Sequence, residues 1–192
     1  MRKTALFGLL AIPLAFALSS CFMLSAFWLQ ANSVIAGGAG TKAVFDIRPT
    51  ASSGDNNYQF FLVGVDDDND LRVTKARWGT NGTFGGPYPL GVSADLATTI
   101  GSDCQSNGFD LSAVTGVTWK GFVTPTAIND RNKVNKDVLV QVGIKAVDGA
   151  TTGDWPVLGV TGAWSDDGDG IPEASDDFLC TGVSQVFLNV RT

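Results

Sequence analysis

The sequence predicts an all-β fold: an antiparallel β-sandwich of about seven or eight strands, preceded by an apolar N-terminal helix. Three observations carry the prediction. Val138, Val140, Val142, Ile144 and Ala146 alternate with Leu139, Gln141, Gly143 and Lys145, which is the period-two pattern of a strand with one buried face. Short runs rich in Val, Thr and Phe recur between clusters of Gly, Asp and Pro, the chemistry of strands joined by turns. After residue 36 no segment stands out as an amphipathic helix.

The elements follow in order. Arg2 and Lys3 precede a long apolar run from Ala5 to Ala31, the pattern of an export signal. Three fates are open to it. Leu18-Ser19-Ser20-Cys21 resembles a bacterial lipoprotein processing site, in which Cys21 becomes the lipidated first residue. Val34-Ile35-Ala36 offers an ordinary cleavage site, leaving a chain that starts at Gly37. An uncleaved anchor is the third, since the run exceeds the roughly 20 residues that span a bilayer. Residues 1–36 are therefore read as export signal or membrane anchor, residues 37–42 as a flexible link, and residues 43–192 as the sandwich. Strands are expected at Ala43–Arg48, Tyr58–Val65 and Leu71–Trp78, then at Val114–Val123 and over the alternating run. Val157–Trp164 and Val183–Val190 complete the set. Asp148-Gly149 supplies a turn, and the glycines and prolines of 79–91 mark an irregular loop.

Composition narrows the function. The chain holds 13 basic and 19 acidic residues, a net charge of -6. Such a surface repels phosphate backbones, so nucleic acid is not an expected partner. Histidine is absent, which removes Ser-His-Asp triads, Cys-His pairs and histidine zinc sites; no enzymatic role is expected. All the acids but Glu173 are Asp, the carboxylate that favours turns and cation loops. Apart from Cys21, only Cys104 and Cys180 remain. In an exported chain they form one candidate disulfide, with two buried thiols as the alternative.

The chemistry concentrates in Ser165-Asp166-Asp167-Gly168-Asp169-Gly170-Ile171-Pro172-Glu173-Ala174-Ser175-Asp176-Asp177. Calcium takes six to eight oxygens from carboxylates, carbonyls and water. Ser165, Asp167 and Asp169 at alternate positions converge on one point while Gly170 turns the backbone. The Ile171 carbonyl, Glu173, Asp176 and Asp177 then close the shell. The run resembles the calcium-binding type 3 repeat of thrombospondin over about thirteen residues. It departs in having Ser165 at the first acidic position, Cys180 two residues late, and one copy. Asp66, Asp68 and Asp70 repeat the spacing more weakly, because Leu71 stands where the turn glycine belongs. With Leu71-Arg72-Val73-Thr74 they resemble the Asp-rich hairpins of bacterial cadherin-like and immunoglobulin-like surface domains, which implies an immunoglobulin-like sandwich. Trp155 and Trp164 flank this region as candidate ligand-stacking rings, with core packing as the alternative. The expectation is an exported, extracellular or cell-surface protein with structural calcium and an adhesive or structural role. Its partners would be other surface proteins or glycans, and the membrane through residues 1–36 or lipidated Cys21. A calcium-dependent carbohydrate-binding module and a subunit of an extracellular filament that retains the apolar N-terminus are the alternatives.

Overall fold

The computed structural model describes residues 22–49, 57–66, 70–80, 83–84, 91–105, 116–123, 138–165 and 171–192. These form ten strands and one helix. In chain order the strands are β1 (Phe22–Leu29), β2 (Ser33–Ile35), β3 (Thr41–Pro49), β4 (Asn57–Asp66), β5 (Leu71–Thr80) and β6 (Thr83–Phe84). After helix α1 (Ala94–Gln105) come β7 (Val117–Val123), β8 (Val138–Ala146), β9 (Gly153–Ser165) and β10 (Asp177–Arg191).

The first sheet has the order β1-β3-β8-β5-β6 and the second β2-β10-β9-β4-β7. Pairing is antiparallel except between β2 and β10, which run parallel. A core fills the space between the sheets. Ala43, Phe45 and Ile47 of β3 and Val140, Val142 and Ile144 of β8 meet Phe61, Val63 and Val65 of β4 and Leu188 and Val190 of β10. Aromatic rings cross it in a chain: Phe27 to Phe45 at 4.7 Å, Phe45 to Phe61 at 5.5 Å, Phe61 to Phe122 at 5.0 Å. These separations suit tilted and offset ring contacts. The alternating run over 138–146 is the central strand of the first sheet, with its odd-numbered residues turned outward, as the pattern predicts.

The second sheet buries its other face as well. Helix α1 lies on it through Leu96, Ala97, Ile100 and Cys104, against Phe60, Leu62, Trp119, Leu158, Val160 and Trp164. The molecule is therefore sheet, sheet and helix in three layers. The sequence reading passed over α1, yet its signals are present. Ser93 caps the start, with Leu96 N–H donating to its hydroxyl at 3.2 Å, and Asp95 sits in the first turn. Thr98, Thr99 and a mid-helix Gly101 mask the pattern, since none favours a helix interior. Gly101 is there for fit: a Cβ would lie 2.4 Å from the Trp119 indole.

The N-terminal expectation is corrected in one respect. Phe22–Leu29 is a strand rather than part of an apolar helix, and it pairs with β3 from Phe22↔Pro49 to Leu29↔Ala43. Phe27 is buried against Gly159, where a Cβ would meet its ring at 2.6 Å. Val34 of β2 is buried too. The sandwich thus includes residues well before 43, and the segment expected to be a flexible link is partly strand (Thr41, Lys42) and partly a hydrogen-bonded turn. There Gly38 N–H donates to the Ile35 carbonyl at 2.9 Å. Residues 1–21, Cys21 included, lie outside the described residues.

Candidate functional site

Strands β9 and β10 form a long hairpin whose connection is the acidic loop. The register closes at Asp177↔Ser165, with Phe178↔Trp164 next. Two facing residues of an antiparallel pair lie about 5 Å apart, so the two ends of the connection are held close together. Below the loop, Trp164 is fully buried and stacks on Phe178 with ring centroids 6.3 Å apart. Its indole N–H donates to Asp176 Oδ2 at 2.8 Å. The Glu173 amide donates to the same oxygen, also at 2.8 Å, and Asp176 N–H returns to the Glu173 carbonyl at 3.2 Å. Asp176 thereby satisfies a buried donor and closes a turn, and its Oδ1 is the oxygen left for a cation. Glu173 and Ile171 are exposed. Asp167 and Asp169 lie outside the described residues, as do the side chains of Ser165 and Asp177.

The foot of this loop is fixed from a second direction. Cys104, at the end of α1, is bonded to Cys180 of β10, with Cα atoms 6.0 Å apart. A cavity of about 260 Å³ opens between the helix and the loop, lined by Thr99, Asp103, Ala174, Asp176 and Phe178. Asp103 is a member that sequence reasoning missed. Nothing local marks it, because only the docking of α1 brings it beside residues more than seventy positions away.

Two expected groupings are not assembled. Asn57 pairs with Ser165 and Val65 with Val157, so Asp66 lies at the opposite end of the sandwich from the 165–177 loop. The intervening eight or nine extended residues put roughly 30 Å between them, too far to share a cation. Asp66 is buried. Asp70 instead ties two turns together, its carbonyl accepting from Val147 N–H at 2.9 Å and its carboxylate from Thr151 N–H at 3.4 Å. Asp68 is outside the described residues. Trp155 and Trp164 are likewise at opposite ends of β9. Trp164 has no exposed face to offer a sugar ring, because it is fully buried and stacked on Phe178. Trp155 packs partly into the inter-sheet core and donates to the Thr151 carbonyl at 2.8 Å.

Among the described residues no three Cys, Asp or Glu side chains are grouped to hold a metal ion. The donor chemistry that remains at the hairpin is all oxygen, in a loop whose ends are pinned together, and it suits a hard cation rather than a soft one. No described helix is long and apolar enough to cross a membrane.

No family model and no curated protein matches this chain. Among solved structures it is similar to AvmM, which catalyzes macrocyclization in alchivemycin A biosynthesis, with 10% identity, TM-score 0.43 and 89% of each chain covered. It is similar to the N-terminal domain of the Streptococcus gordonii adhesin Sgo0707, with 6% identity and TM-score 0.43, over 86% of this chain and 32% of that one. A third is the full-length major pilin SpaD from Corynebacterium diphtheriae, with 8% identity and TM-score 0.43, over 88% of this chain and 33% of that one. The chain spans about a third of the adhesin and pilin chains. At such identities the activities of those proteins stay with them, and the reading of this chain rests on its own strands and site.

Proposed function

We propose that this chain is an exported protein of the cell surface with a structural or adhesive role, built on an immunoglobulin-like sandwich whose acidic hairpin is held by calcium. Strand order supports the immunoglobulin-like type: β1-β3-β8-β5 and β10-β9-β4 correspond to the A-B-E-D and G-F-C sheets of that architecture. The Cys104–Cys180 bond supports an oxidising compartment. Of the three fates of the N-terminus, processing at Cys21 leaves β1 and β2 in place, as does an uncleaved anchor that ends before Phe22. Cleavage after Ala36 removes both, and a bilayer span through Ala31 takes β1 out of its sheet.

The observation that carries the calcium reading is the clamped loop. The Ser165↔Asp177 pair and the Trp164–Asp176 hydrogen bond hold its two ends together, and the disulfide ties the β10 side to α1. The sequence puts six acidic residues at or between those ends, and carboxylates brought close repel one another unless a cation neutralises them. Asp167, Asp169, Glu173 and the free oxygen of Asp176 are the residues that would hold it, with Ser165, Asp177 and the Ile171 carbonyl completing the shell. Calcium would supply rigidity there and no reaction. Titration calorimetry should detect one calcium per chain, and a chelator should lower Tm by several degrees. Unchanged melting together with no heat of binding would sink the metal. No geometry favours the glycan reading, because the two tryptophans on which it depends are at opposite ends.

A further inference from the structure

The outer face of the first sheet carries charge opposite to that of the chain as a whole. The inward register of β3, β5 and β8 leaves Lys42, Arg72, Arg77 and Lys145 on the side away from the core. β5 bulges between Val73 and Ala76, so Thr74 and Lys75 both stand opposite Gly143. Arg72 faces Lys145 and Lys42 faces Gly143 across the ladder. Of the described acidic residues, Asp46 is the one this register turns to the same face.

Gly143 makes this patch concave. A Cβ there would fall 2.2 Å from the Thr74 hydroxyl. Without one, a groove of about 330 Å³ opens, lined by Lys42, Thr74, Lys75, Arg77 and Gln141. Lys42 donates to Gln141 Oε1 at 3.1 Å, which holds its ammonium at the groove. Like charges facing one another across a ladder are destabilising. Three cations line the groove beside Gly143, and Arg72 faces Lys145 on the same sheet face; in a chain of net charge -6 this arrangement costs stability unless something anionic uses it.

We infer that the groove receives the acidic hairpin end of a second copy of this chain. That end presents exposed Glu173 and exposed Asp103, and Asp103 lines one cavity with Ala174, the chain neighbour of Glu173. At the opposite end Asp66 is buried and Asp70 is engaged in its turn, while Asp148 and Asp154 are exposed, so the variants below are chosen to tell the two ends apart. Within one molecule the two patches cannot meet. Gly143 lies near the Ala146 end of β8, which leads towards the start of β9, whereas the acidic hairpin closes the other end of β9. The contact joins two different surfaces, so it repeats head to flank and builds open chains of subunits rather than a closed dimer. The inference gives the proposed structural role its partner, and it does not depend on calcium.

The test uses the full chain in a non-ionic detergent, sedimented at about 20 mM and about 500 mM salt, since contacts between exposed charges are screened within a few ångströms at the higher value. At low salt the mass should rise at least about twofold over the single chain with increasing concentration, and at high salt it should fall back. Lys75→Gln with Arg77→Gln should abolish the rise, as should Asp103→Asn with Glu173→Gln, each variant melting like the parent chain when both are compared in a chelator, where Glu173 holds no calcium. Mixing these two variants should restore association only as far as a one-to-one pair, because each retains one half of the contact. A chain that stays single at low salt overturns the inference, as does association that neither variant weakens. Retention on a polyanionic glycan column without self-association also overturns it and assigns the groove to a glycan. A chelator that leaves melting unchanged while salt still controls sedimentation would remove the calcium and leave this contact standing.

Discussion

Gly101 and Asp176 are residues whose purpose is invisible along the chain. Glycine inside a helix ordinarily costs about 1 kcal/mol relative to alanine, so Gly101→Ala would stabilise an isolated α1. Here the added methyl would drive into the Trp119 indole, and overpacking of this kind costs about 1–3 kcal/mol. Gly101→Ala should therefore destabilise the protein in urea denaturation; a gain in stability would mean that α1 can lift off the sheet at little cost. Asp176 was legible as an acidic residue of the hairpin loop and was expected there as a calcium ligand. Its bond to the Trp164 indole was not legible, because it depends on Trp164 being turned inward beneath the hairpin. The same inward turn removes Trp164 as a ring for sugars. A tryptophan beside an acidic loop has the same local sequence whichever face it occupies.

At the scale of elements, the clear period-two run over 138–146 was read correctly because a strand with one buried face has to alternate. Strand β1 was misread for an equally physical reason. Phe22–Leu29 is apolar throughout, and an apolar run following a basic start looks the same whether it enters a bilayer or the edge of a sandwich. What distinguishes them is Phe27 on Phe45 and Gly159, contacts made with residues far along the chain. A chain starting at Gly37 loses Phe27 and Val34, each contributing about 1.5–3 kcal/mol of burial, together with the partly buried Leu24. It should lose most of its cooperative thermal transition by circular dichroism, whereas one starting at Cys21 should keep it. Equal melting of the two would make β1 and β2 dispensable and reinstate cleavage after Ala36. Mass spectrometry of the native N-terminus would then decide the fate of the segment directly.

At the scale of the molecule, the disulfide joins a helix on one side of the second sheet to the strand that begins beyond the acidic hairpin. It closes a separation of 76 residues, which in the chain-entropy account is worth roughly 4 kcal/mol. Replacing both Cys104 and Cys180 by serine should lower the unfolding free energy by about that amount. A loss under about 1 kcal/mol would show that apolar contacts alone seat α1. Charge is distributed on the same scale, with acidic loops at the two ends and a basic flank between them, and net charge by itself reveals none of this. By itself the sequence determined the all-β character, the apolar export-type start, the cysteine pair and the oxygen-rich hairpin, because each is written in composition or in short-range spacing. Only the tertiary structure decided that β1 and β2 belong to the sandwich, that α1 covers its second face, that the two acidic loops are about 30 Å apart, and that cations from two strands line a groove at one glycine. Those facts depend on register and on contacts between distant residues, and in a sheet a single strand pairing sets them for every side chain at once.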